Sequence, residues 1–354
     1  MNPKVSVLLV GILGLAGLSG CALFNSVLNP KPAEPLPTEA PSPTNNVIGL
    51  FFVKKDNPTG NYRGELLPIA LRLNGQYVDV SQELTVDSQN SIPLNNLVQN
   101  QASRSVLSTV SEFTLIDQSK PVGRFTVDQL GATPLACSAF VVGQGAVKEA
   151  VLPDLYAALP DHRTNIYQGQ LSDRKFDESS RWLLAAHQYT VKPMQLATNR
   201  ADATYKQDLI AAASPLFAVA KESQAIAGGT EVEQMQVFDL DHDGQPEVVG
   251  TVRKGLAPNS VPTAERGRSQ TTAYMNVWLT YKTGQPTVLA HEVTAWEIPV
   301  SRRPYEVIDA LDLDGDGRDE VIVRNLGYES YSFGIHTLQG DQLKPVFNGT
   351  NYGC

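Results

Sequence analysis

Val237–Gly250 reads VFDLDHDGQPEVVG, and Ala310–Val323 reads ALDLDGDGRDEVIV. Aligned on Asp239 and Asp312, the two stretches share the pattern DLDxDGxxEV. A short strand-like run precedes each copy, Met235–Phe238 in the first and Tyr305–Ile308 in the second. Each is followed by an apolar run and then by a strand–turn–strand unit. In the first copy that unit is Tyr274–Tyr281, Gly284 and Thr287–Val293; in the second it is Tyr331–Leu338, Gly340-Asp341 and Leu343–Phe347. Four strands per unit is the content of a propeller blade, repeated here with an insertion. The Pro-, Ser- and Arg-rich stretch Lys254–Gln270 accounts for the extra length of the first unit.

The repeated loop carries the chemistry. Carboxylates at positions 1, 3 and 5, Gly at 6 and Glu at 9 form a calcium-loop pattern. Ca²⁺ is a hard cation that takes six to eight oxygens at about 2.4 Å. Alternate residues of a tight loop aim inward, Gly permits the reversal, residue 7 offers its carbonyl, and Glu at 9 closes the shell. The expected ligands are Asp239, Asp241, Asp243 and Glu247 with the Gln245 carbonyl, then Asp312, Asp314, Asp316 and Glu320 with the Arg318 carbonyl. Two Ca²⁺ are therefore expected. An EF-hand is disfavoured, because its twelfth position requires Glu and holds Gly250 and Val323 here. Carboxylates this close repel one another unless a cation is present. These side chains alone account for nearly all of the formal net charge of −9.

On these residues the chain resembles FG-GAP/VCBS-type repeats, found in integrin-α-like β-propellers and many bacterial surface proteins. In that family a DxDxDGxxD loop joins two strands of each blade; here Glu takes the last place. The resemblance covers roughly residues 235–350 and implies propeller-like antiparallel units with bound calcium. A closed propeller takes about four to eight blades, whereas two such loops are present. The strands upstream are thus either degenerate blades or a separate fold.

Those upstream strands are readable. Val47–Val53 (VIGLFFV) has the composition of a buried strand. Asn74-Gly75 sits between the alternating runs Ile69–Leu73 and Gln76–Val80, a strong hairpin signal. Phe113–Ile116 and Arg124–Val127 flank a turn expected at Pro121–Gly123, and Ala139–Val142 and Trp182–Tyr189 add further apolar segments. Asp202–Ala213 (DATYKQDLIAAA) is expected to be helical, with Asp202 as N-cap and an interruption at Pro215. The expected class is mainly β: a β-rich N-terminal domain over 47–197, a helical connector over 198–230 with its helix near 202–224, and a calcium-binding repeat domain over 231–354.

The first residues address the compartment. Lys4 precedes the apolar run Val5–Leu18, which has the length of a signal-peptide core rather than of a membrane span. It ends in Leu18-Ser19-Gly20-Cys21, which resembles the bacterial lipobox. The resemblance implies a signal peptide over 1–20, lipidation of Cys21 and anchoring in the cell envelope. With Ala22 next, the outer membrane is favoured over the inner one in a Gram-negative cell. Over 21–46 the chain reads as a tether. Six prolines between Pro30 and Pro43 favour polyproline II, which would hold the folded part up to roughly 50 Å from the membrane. Once Cys21 is lipidated, Cys137 and Cys354 remain, and an oxidising compartment favours a disulfide between them.

Composition narrows the function classes. The chain has 354 residues, 37 acidic against 28 basic, which argues against a general nucleic-acid binder. No HExxH, GxSxG or P-loop occurs. His242, at loop position 4, is expected to point outward, and His187 to be structural. Asp309 reads as part of the second acidic loop. Arg253, Lys254, Arg266, Arg268, Arg302 and Arg303 read as partners of the acidic surface. The expected function is a non-catalytic, membrane-anchored lipoprotein whose calcium-stabilised β repeats bind a protein or polysaccharide. The alternative is a secreted-type hydrolase with a site in the N-terminal domain.

Overall fold

The computed structural model describes residues 46–55, 62–81, 83–84, 106–117, 119–135, 138–150, 183–189, 196, 200–221, 223, 226, 228–255, 271–297, 304–326 and 330–353. The expected signal peptide, Cys21, the tether as far as residue 45, Cys137, Cys354, Arg266, Arg268, Arg302 and Arg303 lie outside these residues, whereas Asn46, the last residue of the expected tether, opens the first strand. The fold is mainly β.

The upstream strands close on themselves and are not blades. They are β1 (Asn46–Lys55), β2 (Tyr62–Leu73), β3 (Gln76–Asp79), β4 (Glu83–Leu84), β5 (Glu112–Asp117), β6 (Lys120–Leu135), β7 (Ser138–Ala150) and β8 (Leu183–Ala186). Antiparallel pairing runs β2-β1-β8-β5-β6-β7, and β7 returns to β2 through Gly64↔Gly145, Glu65↔Gln144 and Leu66↔Gly143. The result is a six-stranded, barrel-like sheet. Past this seam β2 diverges to pair with β3, while β4 adds to β7. Alternation along β1 explains the closure. Val47, Phe51 and Val53 face a core with Leu66, Phe113, Leu115, Phe125 and Leu183. The intervening Ile48, Leu50 and Phe52 face the opposite way. Gly64 is needed inside, because a Cβ there would stand 2.7 and 2.8 Å from the Phe51 and Phe125 rings.

Of the two expected hairpin turns, one holds and one shifts. The β2–β3 turn is at Asn74-Gly75, both at positive φ (51° and 80°), the type I′ requirement. In the β5–β6 hairpin, however, the turn passes through Ser119 at φ 57°, and Pro121 and Gly123 lie within β6. Pro121 sits at a register shift opposite Ile116, where the ladder tolerates a residue without an N–H.

Helix α1 (Asp202–Val219) runs through Pro215 rather than stopping there. Pro215 and Ala211, whose carbonyl loses its partner, are both exposed, so water can take that bond. The N-cap is Ala201 with no side-chain cap; Asp202 falls in the first turn, where its charge suits the helix dipole. Tyr205, Leu209, Ala213 and Phe217, spaced by four, form its buried stripe.

Two four-stranded antiparallel meanders follow. The first comprises β9 (Thr230–Phe238), β10 (Glu247–Lys254), β11 (Thr271–Thr280) and β12 (Thr287–Glu297), in the order β12-β11-β10-β9. The second comprises β13 (Tyr305–Leu311), β14 (Glu320–Leu326), β15 (Ser330–Gln339) and β16 (Gln342–Gly353), in the order β13-β14-β15-β16.

The layers stack in one line: helix, first meander, second meander, barrel. The stripe of α1 packs on one face of the first meander, against Val248, Val252, Met275 and Val277. The other face, with Phe238, Leu240, Val249 and Trp278, packs on Tyr305, Ala310, Val321 and Val323 of the second. The far face of the second, with Leu311, Ile322, Phe333, Ile335 and Tyr352, packs on the outward residues of β1, β2 and β7. Hence β10 and β14 are covered on both sides and read as continuous apolar runs, where a half-exposed antiparallel strand would alternate.

Candidate metal centre

Each acidic loop joins the first two strands of its meander: residues 239–246 connect β9 to β10, and 312–319 connect β13 to β14. Both loops reverse through left-handed residues at positions 4 and 6. These are His242 (φ 54°) and Gly244 (82°) in the first loop, Gly315 (78°) and Gly317 (90°) in the second.

Side-chain oxygens hold the loop backbone. In the second loop Asp312 Oδ1 and Oδ2 accept from the N–H groups of Gly315 (2.6 Å) and Gly317 (3.0 Å). Asp314 accepts from Asp316 N–H, and Asp316 from Arg318 N–H. In the first, Asp239 accepts from Gly244 N–H (3.2 Å) and Asp243 from Gln245 N–H (2.7 Å). The position-9 glutamates play matched parts. Glu247 Oε2 accepts from Leu240 N–H (2.9 Å), and Glu320 Oε2 from Leu313 N–H (2.8 Å). The other Glu247 oxygen accepts from the Thr280 hydroxyl (2.9 Å).

Carboxylate oxygens of Asp239, Asp241 and Glu247 lie within 4.8 Å of one another, as do those of Asp312, Asp314 and Asp316. These clusters could hold a metal ion. Asp243 and Glu320 stand outside them, each engaged in its own loop bond. The donor set is all oxygen, which suits a hard cation. Asp241 adds an observation that points to a ligand: its side chain is only 10% exposed, and its Oδ1 is buried without a hydrogen-bond partner. An orphaned carboxylate oxygen is costly to bury, and a cation would satisfy it.

Burial dominates the electrostatics. It pushes Glu247 up to about 7 and Glu320 up to about 8, with the neighbouring loop aspartates adding to the rise and the Leu240 and Leu313 N–H groups opposing it. Asp239 is also raised, chiefly by burial. Two basic side chains answer this charge. Lys282, from the β11–β12 turn, pairs with Asp241 and lies 3.9 Å from Asp243. Arg72, from β2 of the barrel, pairs with Asp314 at 2.9 Å.

Some sequence expectations land elsewhere. His242 does not point outward; its Nε2 lies 3.0 Å from Asp319 Oδ1 in the second loop. Asp309 takes no part in the acidic cluster and binds the Ser119 N–H and hydroxyl of the barrel. Arg253 pairs with Glu231 and Glu233 on β9, within its own meander. His187 is structural, stacked edge-on against Phe113 with Nδ1 3.1 Å from the Glu112 carbonyl. Arg72, Lys282 and Asp319 were missed. The first two come from distant segments with no local signal, whereas Asp319 directly precedes Glu320 and stands where the first loop has Pro246.

A cleft of about 590 Å³ opens beside the second loop. The β2–β3 hairpin supplies Tyr77, the loop supplies Asp314, Asp316 and Arg318, and the end of β15 supplies Thr337 and Gln339. The Tyr77 hydroxyl is buried there without a hydrogen-bond partner. Among the described residues, no helix is long and apolar enough to cross a membrane. No protein-family model, curated protein or solved structure matches the chain.

Proposed function

We propose that this chain is an exported, lipid-anchored envelope protein that binds two Ca²⁺ and serves, without catalysis, as a binding or scaffolding surface for a protein or polysaccharide. The observation that carries the metal part is the pairing of two like loops, each with three converging carboxylates, together with the buried, unpartnered Asp241 Oδ1. Calcium suits loops with mixed carboxylate and carbonyl oxygens and no rigid octahedron better than Mg²⁺ does. The ligands would be Asp239, Asp241, Asp243, Glu247 and the Gln245 carbonyl, and Asp312, Asp314, Asp316, Glu320 and the Arg318 carbonyl. The polar cleft beside the second loop supports a hydroxyl-rich ligand over an apolar one.

Binding only to the folded state stabilises by about 2.7 kcal/mol per site at ligand 100-fold over Kd. Melts of the metal-stripped protein with and without calcium should therefore differ by several degrees, and Asp314→Ala should remove one of two binding equivalents. Identical melts from protein shown by elemental analysis to be stripped would refute calcium binding.

A further inference from the structure

The two acidic loops touch. Asp319 N–H, in the second, donates to the Leu240 carbonyl of the first at 2.7 Å. The same Asp319 meets the His242 ring through its carboxylate at 3.0 Å. Both contacts are shielded: Asp319 is 8% exposed, and the His242 side chain 15%.

A continuous chain of bonds follows. Glu247, an expected ligand of the first site, accepts from Leu240 N–H. The carbonyl of that same Leu240 accepts from Asp319 N–H. Asp319 is joined by one peptide bond to Glu320, an expected ligand of the second site, which accepts from Leu313 N–H. Leu240 and Leu313 occupy equivalent positions, each between the first two aspartates of its loop. Glu247 is therefore connected, through consecutive hydrogen bonds and covalent bonds, to the residue beside Glu320.

The sequence departs from its own repeat at the points where this bridge is made. Position 4 must be left-handed in both loops. The second uses Gly315, with open space around a Cβ there. The first carries His242 in the same backbone region, which is unfavourable for a residue with a Cβ. Its imidazole is what reaches Asp319. At position 8 the second loop has Asp319, with an N–H and a carboxylate to give, where the first has Pro246, which lacks the N–H. Within the shared pattern the loops differ at positions 4, 7 and 8, and position 4 of the first meets position 8 of the second.

We infer that the two loops form a coupled pair, linked through Asp319 and His242, so that a cation in either loop strengthens binding in the other. This rests on the proposal that the loops bind calcium. Each ion fixes its own loop, and the Leu240–Asp319 and His242–Asp319 contacts extend that order to the neighbouring one, so the second ion has less ordering left to do. Repulsion between the two dications opposes the effect and is screened by salt.

The test is calorimetric titration of the metal-stripped, detergent-solubilised full chain with CaCl₂ in physiological salt. Asp314→Ala disables the second loop and reports the affinity of the first alone; Asp241→Ala does the reverse. Coupling predicts that each survivor binds at least about fivefold more weakly than it does beside an intact partner, and by the same factor in both directions, since coupling is reciprocal. Asp319→Asn and His242→Gly should each shrink that factor toward one while two equivalents still bind. His242→Gly installs the residue that the second loop already uses at that position, which keeps the comparison usable if Asp319→Asn folds poorly. Two equivalents that bind with affinities independent of each other would overturn the coupling and leave the calcium sites standing. An absence of calcium binding to the stripped wild-type chain would overturn both.

Discussion

Asp309 offers a sharp test of how the second meander is fixed to the barrel. Its carboxylate is 2% exposed and accepts from Ser119 N–H (2.9 and 3.1 Å), the Ser119 hydroxyl (3.2 Å) and Ala310 N–H (2.9 Å). Burial pushes it from 3.8 up to about 6; these donors oppose the rise and Asp117 adds to it. A group raised in the folded state contributes stability that is fully present below its unfolded value and lost as pH rises through its folded one. The whole titration is worth about 3 kcal/mol, of which roughly 2 falls between pH 4 and pH 7.5. Asp309→Asn keeps an acceptor for Ser119 and cannot ionise. Other buried acids, Glu247 and Glu320 among them, titrate in both proteins and cancel in the comparison. Urea unfolding of both proteins in chelator, across this range, should therefore show the variant gaining on the wild type by about 2 kcal/mol as pH rises. A difference that stays flat with pH would refute the reasoning. So would a variant that loses ground, which would mean that the Ser119 donors outweigh burial and hold the anion.

Further outcomes follow from the stack and from the sequence. Leu209→Ala, which opens a cavity between α1 and the first meander, should cost about 3 kcal/mol in urea unfolding. Gly250→Ala pushes a methyl into the Leu209 side chain, so the double variant should be less destabilised than the two single effects added together. Cys21→Ser should move the protein out of the membrane fraction or leave its leader uncleaved; a variant that is cleaved and still membrane-bound refutes lipid anchoring. Thiol labelling of the denatured, unreduced mature chain should find no free thiol if Cys137 and Cys354 are bridged, and two if they are not.

What the sequence discloses tracks how local the physics is. The meanders and their loops are legible because each is built from consecutive strands and a short motif that names its own turn. Asn74-Gly75 is legible for the same reason, since both residues tolerate the positive φ that the turn demands. Pro121 and Pro215 mislead because each occupies a place where a missing N–H is tolerated, a bulge and an exposed helix face. Ser119 gives no warning that it will turn left-handed. Barrel closure is not legible at all. It depends on β2 meeting β7, where Gln144 bonds Glu65 across 79 residues of sequence. The bridge between the loops is hidden in a similar way: a histidine in a variable place of one motif finds an aspartate in a variable place of the other.

The linear stack explains how two blade-like meanders persist without a ring. A four-stranded meander has two apolar faces, and a propeller covers both by placing a blade on each side until the circle closes. Here the outer face of the first meander is covered by the Tyr205–Phe217 stripe of α1, and that of the second by β1, β2 and β7 of the barrel. Both caps differ from what they replace. A helix stripe is narrower than a blade, and Val288, on β12 at the sheet's edge, stays 38% exposed. The barrel face is broad, and its rim is polar. Arg72–Asp314, Ser119–Asp309, Asn46 to the Leu313 carbonyl and Thr350–Asp79 surround the apolar contact. Two of these four bonds land on the second acidic loop, so the order of that loop and the seating of the barrel depend on each other. Among the described residues, the first loop has no such bond to the barrel. Lys282 of its own meander answers its charge, and the bridge to Asp319 ties it to the second loop.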